Sequence, residues 1–236
     1  MDHKYNHLYE VQNLLNKKFS LTAIIGIELE FYLSSNINLS LLSEQIGHDL
    51  KEERGKNQFE IEFEPNLNLI KLARDIENTR RNINYFASKQ DGWANFSSKP
   101  YKNDFGSSMH LHLNFLEDKN IEKYANILCK NLDQYINFCL PSKEDYTRLD
   151  KKFMSPTHIC WGGNNRTVMI RIPDSKPKRL EHRLPCANAD PSMLFFSLLN
   201  TIANSLINKE KIINLPKIWG NAFDKQYGLK KINYLI

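Results

Sequence analysis

The sequence lacks several signatures that would place it in a familiar class. No stretch approaches the ~18 consecutive apolar residues of a membrane span, and no apolar run follows a basic start, so we expect a soluble, cytoplasmic protein. The four cysteines show no Cys-x-x-Cys spacing, which favours reduced thiols. The nine glycines form neither the Gly-x-x-x-x-Gly-Lys-Ser/Thr phosphate loop nor the dinucleotide-binding glycine pattern, since "WGGNN" and "GSS" match neither.

The charge balance is mildly basic and spread along the chain. Among 236 residues, 32 Lys and Arg face 27 Asp and Glu, a net charge of +5 with His neutral. The scattered cations do not favour nucleic acid, and an anionic small substrate fits equally well. We predict a single catalytic-type domain over residues 1–236, with an N-terminal helix (1–20), a core (21–208) and a C-terminal extension (209–236). Neither nucleic acid nor membrane is an expected partner, and a homo-oligomer is left open.

Five stretches carry apolar residues at helical spacing. In the last of them, Asp190 followed by Pro191 is a typical helix start, with a cap and a first-turn proline. Asn66 is the expected N-cap of the third. The predicted helices cover residues 3–19, 39–53, 66–89, 121–139 and 190–207.

At least five other stretches are typical of strands with one apolar and one polar face. In "IGIELEF", Ile27, Leu29 and Phe31 alternate with Glu28 and Glu30, so the two carboxylates lie about 7 Å apart on one face. The same reading applies to "NQFEIEFEP", "SMHLHLNF", "NRTVMIRIP" and "KRLEHRLP". This pattern predicts an α+β fold with a curved, mostly antiparallel sheet and helices on its apolar face. The other face is too polar for a core and too regular for a random surface, so we interpret it as a site.

The polar face collects acids, one histidine and several arginines. Carboxylates with one His and no Cys suit hard divalent cations such as magnesium or manganese, and five carboxylates are enough for two ions. Arginines facing such a site suit phosphate or carboxylate, which together indicate phosphoryl transfer, with any nucleotide held mainly by metals and arginines. The candidates are Glu28, Glu30, Glu53, Glu60, His110 and Glu181, with Arg166, Arg171, Arg179 and Arg183 nearby in sequence.

Blander interpretations compete with this one when each residue is taken singly. An outward-facing Glu such as Glu62 or Glu64 is usually just solvated. A lone His such as His112 is more often a surface or half-buried residue with its hydrogen bonds satisfied than a metal ligand. The alternation in "RLEHRLP" is also compatible with a cross-strand ladder of ion pairs. The coincidence of several such faces shifts the balance towards a site.

Six segments in order resemble motifs of the glutamine synthetase family, over roughly residues 26–199. "GIELEFYL" resembles its Gly-x-Glu-x-Glu-Phe strand, and "EERGKNQFEI" its Glu-x-Gly-Pro-Gly-Gln-x-Glu-Ile segment. "GSSMHLHLN" is similar to Gly-Ser-Gly-Met-His-x-His. "YTRL" and "WGGNNRTVMIRIP" resemble Tyr-x-Arg-Leu and Asn-Arg-x-x-x-x-Arg-Ile-Pro, and "RLEHRLPCANADPSMLF" resembles Arg-x-Glu-x-Arg followed by a helix. The resemblance implies the catalytic fold that this family shares with guanidino kinases.

The resemblance also implies roles for individual positions. Glu30, Glu53 and Glu60 match ligands of a first Mg²⁺ or Mn²⁺, and Glu28, His110 and Glu181 match ligands of a second. Arg148, Arg166 and Arg183 match the arginines that engage glutamate and its acyl phosphate. The nucleotide-side positions are His112, Asn114, Arg171, Lys176 and Arg179, with Asn114 where the family often has Ser. The implied activity is that of an ATP-dependent carboxylate–amine ligase, which phosphorylates a glutamate-like carboxylate and transfers it to ammonia or another amine.

Two departures from the family pattern keep other functions open. The family has a small β-grasp domain before its catalytic domain, and only 25 residues precede Gly26 here. The flap glutamate of the family aligns with Met154 in "KKFMSP", and Asp150 is the nearest carboxylate that could replace it. The alternatives are a degenerate homologue that binds nucleotide and metal as a regulatory or interaction module, or a phosphoryl transferase of the guanidino-kinase type.

Overall fold

One mixed sheet organises the computed structural model, which describes residues 3–212 and 214–234. Its strands are β1 (Ala23–Leu33), β2 (Lys51–Glu52), β3 (Gln58–Asn66), β4 (Ala94–Asn95), β5 (Met109–Phe115), β6 (Trp161–Gly162), β7 (Ile170–Arg171) and β8 (Leu180–His182). Their order is β2-β3-β1-β5-β8-β7-β6, with β4 paired to β1. All pairs are antiparallel except β6 with β7, which confirms the predicted mostly antiparallel sheet.

The alternation of β1 explains which face of the sheet is buried. Ile25, Ile27, Leu29 and Phe31 are at most 2% exposed and belong to the main hydrophobic core. Because successive side chains of a strand point to opposite faces, the glutamates between them are directed to the other side. The apolar face of the sheet therefore packs into the core, and the acidic face remains available for a functional site.

Within the described ranges, six α-helices accompany the sheet, and apolar faces of these helices contribute to the core. α6 packs against α1, α3, α4 and α5, and Asp190 caps it by accepting from the main-chain N–H groups of Ser192 and Met193, as predicted. The helices are α1 (Asn6–Phe19), α2 (Leu39–Ile46), α3 (Leu69–Ser88), α4 (Ile121–Lys130), α5 (Ile136–Cys139) and α6 (Pro191–Ile207).

Three helix predictions were wrong at their boundaries. β3 continues through Asn66, and Asn68 caps α3 instead, with its Oδ1 accepting from the N–H of Lys71 at 3.0 Å. The helix predicted over 39–53 ends at Gly47, which adopts the left-handed conformation with φ of 69°. The helix predicted over 121–139 is interrupted by a short 3₁₀ turn between α4 and α5.

The C-terminal stretch runs back along the edge of the sheet. The main-chain N–H of Ile218 donates to the carbonyl of Trp161 at 3.0 Å, and the N–H of Ile159 donates to the carbonyl of Lys230 at 2.8 Å. Ile218 and Ala222 pack with Cys160 and Val168 in a small second core. These contacts join residues 214–234 closely to the segment that precedes β7.

Candidate functional site

The strand register gathers the acidic side chains into one row. Glu30 lies opposite Glu60 across β1 and β3, and Glu28 lies opposite His110 across β1 and β5. Glu181 on β8 is opposite His112 on β5. Directly opposite residues of paired strands project on the same face, so four strands contribute side chains to one patch.

Two overlapping groups of side chains have the composition and spacing of cation sites. Glu28, His110 and Glu181 form one group, and Glu30, Glu60 and His110 form the other. Within each group, one ligand atom per residue lies within 4.8 Å of the others. The first group coincides with the second metal set implied by the family resemblance. The other shares Glu30 and Glu60 with the implied first set, but contains His110 where that set has Glu53.

Glu53 lies on the same cavity, at the start of a tight turn. Its main-chain N–H donates to the carbonyl of Gln58 at 2.9 Å, which closes the turn. A Cβ on Gly55 would lie 2.1 Å from the Tyr32 hydroxyl, so the turn can pack here only with glycine. The Gln58 amide donates to the carbonyl of Gly106 at 3.0 Å and ties the turn to the loop before β5. Glu53 is therefore held over the cavity by backbone contacts.

The crowding of carboxylates changes their protonation. Burial, followed by the charges of Glu28, Glu30, Glu53 and Glu62, raises the pKa of Glu60 to about 8. Burial and the charge of Glu30 also raise the pKa of Glu53. Like charges held together in a poorly solvated place favour either a proton or a cation between them. The donor set of carboxylate oxygens and one imidazole fits a hard divalent cation such as Mg²⁺ or Mn²⁺.

Glu28 is stabilised as an anion by the histidines of β5. Its Oε2 lies 3.2 Å from His110 Nδ1, and its Oε1 lies 2.9 Å from His112 Nε2. Burial alone would raise the pKa of Glu28, but the interactions with the two histidines outweigh it and lower the pKa. His112 Nδ1 in turn accepts a hydrogen bond from Arg179 Nε at 3.0 Å. Arg179 thus reaches the acidic patch through His112.

Glu181 is held between two arginines. Arg171 donates to its Oε2 at 2.6 Å, and Arg183 donates to its Oε1 at 2.5 Å. Although burial raises the pKa of Glu181, the charges of Arg183, His110 and Arg171 lower it to about 2. Arg183 Nε is buried and has no hydrogen-bond partner among the described residues.

The two remaining arginines differ in how freely they can act. Arg148 is buried and donates to the carbonyls of Leu184, at 2.7 Å, and Arg183, at 3.3 Å. Arg166 is exposed and makes no hydrogen bond or ion pair with a residue that the structure describes. Both line the acidic cavity, whose volume of about 80 Å³ has room for several water-sized groups.

Six candidates are not among the described residues that line this cavity. Glu181, His112, Arg171 and Arg179 are connected to it by the ion pairs and hydrogen bonds given above, whereas Asn114 and Lys176 are not. The Oδ1 of Asn114 accepts from the main-chain N–H of Phe115 at 2.9 Å, and Lys176 is exposed in the loop before β8. Neither is among the described residues that line the acidic cavity. Asn114 lies on β5 two residues after His112, and Lys176 lies three residues before Arg179.

Met154 lines the cavity, in the place where the family resemblance puts the flap residue. It ends a short 3₁₀ turn and has a left-handed backbone, with φ of 56°. Phe153 beside it packs edge-on against Phe105, with ring centroids 5.3 Å apart. Asp150 instead caps this turn, accepting from the N–H of Lys152 at 2.8 Å, and is not among the described residues that line the cavity. Its carboxylate does not replace a base on the flap in this arrangement.

Sequence reasoning missed Ser108, Gln58 and Arg54, which also line the cavity. Ser108 donates from its hydroxyl to Glu30 Oε2 at 2.6 Å and lies 2.9 Å from His110 Nε2. The sequence shows only that Ser108 of "GSSMHLHLN" stands where the resembling motif has Gly. An uncharged residue between strands gives no reason to be singled out until its neighbours are known.

Comparison with known proteins fixes the family. Residues 37–227 match the family described as glutamine synthetase, catalytic domain. The chain belongs to this family. The match begins after β1, so Glu28 and Glu30 lie outside the matched range. The family recognised from the motif order is confirmed, and ATP and divalent metals are general to glutamine synthetases.

Individual relatives of this glutamine synthetase-family chain cover most of it but extend well beyond it. Gamma-glutamylputrescine synthetase of Escherichia coli is 30% identical over 191 residues, which are 74% of this chain and 40% of the relative. Glutamine synthetase of Pyrococcus abyssi is 28% identical over 196 residues, 77% of this chain and 44% of the relative. The chain thus spans about two fifths of the length of these relatives.

Solved structures confirm the fold class. Plasmodium falciparum glutamine synthetase superposes with a TM-score of 0.73 at 16% identity, over 88% of this chain and 56% of that chain. A GmaS/ADP complex superposes with a TM-score of 0.78 at 18% identity, over 96% of this chain and 64% of that chain. Among the described residues of the present structure, all helices are too short or too polar to cross a membrane.

Proposed function

We propose that this chain carries the active site of an ATP-dependent carboxylate–amine ligase of glutamine synthetase type. The observation that supports this most directly is that two groups of side chains with the spacing of cation sites share His110 at one cavity, which three arginines also line. The arginines are Arg148, Arg166 and Arg183. Carboxylate-held cations with nearby guanidinium groups suit transfer of a phosphoryl group between anionic oxygens.

The acidic residues would hold two divalent cations. Glu28, His110 and Glu181 would hold one, and Glu30, Glu60 and Glu53 the other. When bound, Mg²⁺ or Mn²⁺ would neutralise phosphate charge and orient the transferring group. The raised pKa of Glu60 supports this assignment, because a carboxylate that resists ionisation beside other carboxylates is relieved by a cation.

The arginines would act on the substrates. Arg166 has no partner among the described residues, so it can turn to the transferring phosphoryl group without first breaking an ion pair. Arg183 Nε has no hydrogen-bond partner among the described residues, and this side chain would face the carboxylate or acyl phosphate beside Arg148. His112, Asn114, Arg171, Lys176 and Arg179 would line the path to the nucleotide, a role that rests on their positions in the motifs.

The reaction would proceed in two steps. An oxygen of the glutamate-type carboxylate attacks the γ-phosphorus of ATP, and ADP leaves with its electron pair, which gives an acyl phosphate. The amine nitrogen then attacks the acyl carbon, phosphate leaves, and a proton is removed from nitrogen. A carboxylate suits that removal, whereas the thioether of Met154 cannot accept a proton near neutral pH. The presence of Met154 instead of a carboxylate supports a second candidate function, in which the chain retains only the phosphoryl-transfer half of the reaction.

The test is ADP release in the presence of Mg²⁺ or Mn²⁺. Glutamate alone, glutamate with ammonia, and glutamate with a panel of primary amines and diamines would be compared, with amide product measured beside ADP. Amide formation with one of these amines supports the ligase. ADP and phosphate without amide supports the half-reaction only. Cation and nucleotide binding with no ADP release under any condition would contradict both and leave a binding module.

A further inference from the structure

Ser108 occupies a fixed position between two candidate cation ligands. It is 3% exposed and immediately precedes β5. The N–H of Glu30 donates to its carbonyl at 2.9 Å, and its own N–H donates to Glu30 Oε2 at 2.8 Å. A backbone bridge to Cys186 holds it from the other side. Its hydroxyl is therefore presented to the site by main-chain contacts rather than by a mobile loop.

The hydroxyl of Ser108 contacts one atom of each of these two neighbours. Its Oγ lies 2.6 Å from Glu30 Oε2 and 2.9 Å from His110 Nε2. A hydroxyl has a single proton, and Ser108 donates it to Glu30 Oε2, so only the lone pairs of its oxygen face His110 Nε2. The second contact must then be donated by His110, with its proton on Nε2. Ser108 thereby directs the ring to present Nδ1 to the acidic row.

The atoms that Ser108 does not bind converge on the space between the carboxylates. His110 Nδ1 lies 4.0 Å from Glu30 Oε1, 4.0 Å from Glu181 Oε1 and 3.2 Å from Glu28 Oε2. Adjacent ligands of an octahedral cation with bonds of about 2.1 Å are roughly 3 Å apart, so small movements suffice to close these gaps. Ser108 contacts Oε2 of Glu30 and Nε2 of His110. Oε1 of Glu30 and Nδ1 of His110 are thereby left for a cation.

We infer that Ser108 is a positioning residue, which selects Nδ1 of His110 and Oε1 of Glu30 as the cation-binding atoms. The inference rests on the cation sites of the proposed function and adds a residue to them. Ser108 stands where the resembling motif has Gly, which has no hydroxyl, so this contact is a feature of the present chain. Residues that orient metal-binding histidines in this way typically change metal affinity by ~10–100-fold when mutated.

The experiment compares Ser108→Ala with Ser107→Ala. Ser107 is also fully buried, and its hydroxyl has no hydrogen-bond partner among the described residues, so the control removes the same atom without the contact. Mn²⁺ binding would be titrated by electron paramagnetic resonance and calorimetry without nucleotide. We expect Ser108→Ala to weaken Mn²⁺ binding by ~10–100-fold, whereas Ser107→Ala binds like wild type.

A second measurement needs no variant that could fail to fold. Nitrogen-15 NMR of the metal-free wild type should show the His110 ring protonated at Nε2, with this proton altered in Ser108→Ala. Unprotonated Nε2 in the wild type, or equal Mn²⁺ affinity in Ser108→Ala and wild type, would overturn the inference about Ser108 alone. A wild type that binds no Mn²⁺ would overturn both the inference and the cation sites. Neither result requires ligase activity, so failure of the ligase proposal would be recognised separately.

Discussion

Replacing Glu60 with Gln should stabilise the metal-free protein at alkaline pH while weakening its hold on cations. The amide has nearly the same shape as the carboxylate but no charge. Glu60 is 8% exposed and faces Glu30 across the sheet, so its ionised form is poorly solvated and repelled by its neighbours. Removal of that charge relieves the repulsion, but also removes a cation ligand.

The size of the effect follows from the pKa of Glu60, which burial and neighbouring carboxylates raise from 4.5 to about 8. Since the folded-state pKa is the higher one, the folded protein binds this proton more tightly than the unfolded chain. The contribution to stability is complete below about pH 4.5 and is lost as the pH rises through about 8. At ~1.4 kcal/mol per pKa unit, the wild type should lose on the order of 2–3 kcal/mol between about pH 6 and about pH 9 relative to Glu60→Gln.

Urea unfolding in a chelator, measured across this pH range, gives the free energy of unfolding of each protein. Other groups that titrate in this range contribute equally to both proteins, so their contributions cancel in the difference. Glu62→Gln is the matched control, because Glu62 lies on the same strand with 47% of its side chain exposed and an ion pair to Lys51. Added Mn²⁺ should raise the free energy of unfolding of the wild type at alkaline pH more than that of Glu60→Gln. Parallel pH curves for wild type and Glu60→Gln would refute the reasoning.

Three further predictions address catalysis and the fold. Arg166→Ala should reduce ADP formation by ~100–1000-fold. Its circular dichroism spectrum should be unchanged, because an exposed side chain with no partner among the described residues contributes little to folding. ADP formation at the wild-type rate would make Arg166 dispensable. Met154→Glu should raise the amide formed from ammonia per ADP, whereas Met154→Leu should not; a wild type that already makes glutamine at about 10 s⁻¹ would contradict this. Asp190→Ala should lower the free energy of unfolding by about 1 kcal/mol in urea titrations, since two N–H groups of α6 lose their acceptor, and an unchanged value would contradict the capping role.

The faces of the strands could be predicted from the sequence, because side-chain alternation is a local property. Helix ends were harder, since several residues offered equivalent local signals. Asn66 and Asn68 are both suitable caps, and the choice was made by strand pairing, which holds Asn66 opposite Ile25. The break between α4 and α5 has no glycine or proline; there, Tyr135 is fully buried and its hydroxyl contacts both the carbonyl of Leu128 and His182 Nε2.

The gathering of acidic side chains on one face of the sheet could be predicted, but not the contacts that they make with one another. The family resemblance supplied the positions of the acids, and period-two alternation put Glu28 and Glu30 on one face. Which residue lies beside which depends on the register between strands that are distant in sequence, so the sharing of His110 by both groups was not predictable. The role of Ser108 was also out of reach, because it depends on two particular atoms of its neighbours.

The return of the C-terminal stretch along β6 has a consequence for the order of folding. The backbone of Ile159 is paired with Lys230, and Trp161 with Ile218, so this side of the sheet depends on pairing between segments that are distant in sequence. Contacts so distant in sequence form slowly, since a long loop must close first. Until they form, the short strand β6 presents unpaired backbone groups to other chains. We therefore expect the cavity wall that contains Met154 and Arg166, which flanks this pairing in sequence, to form late in folding.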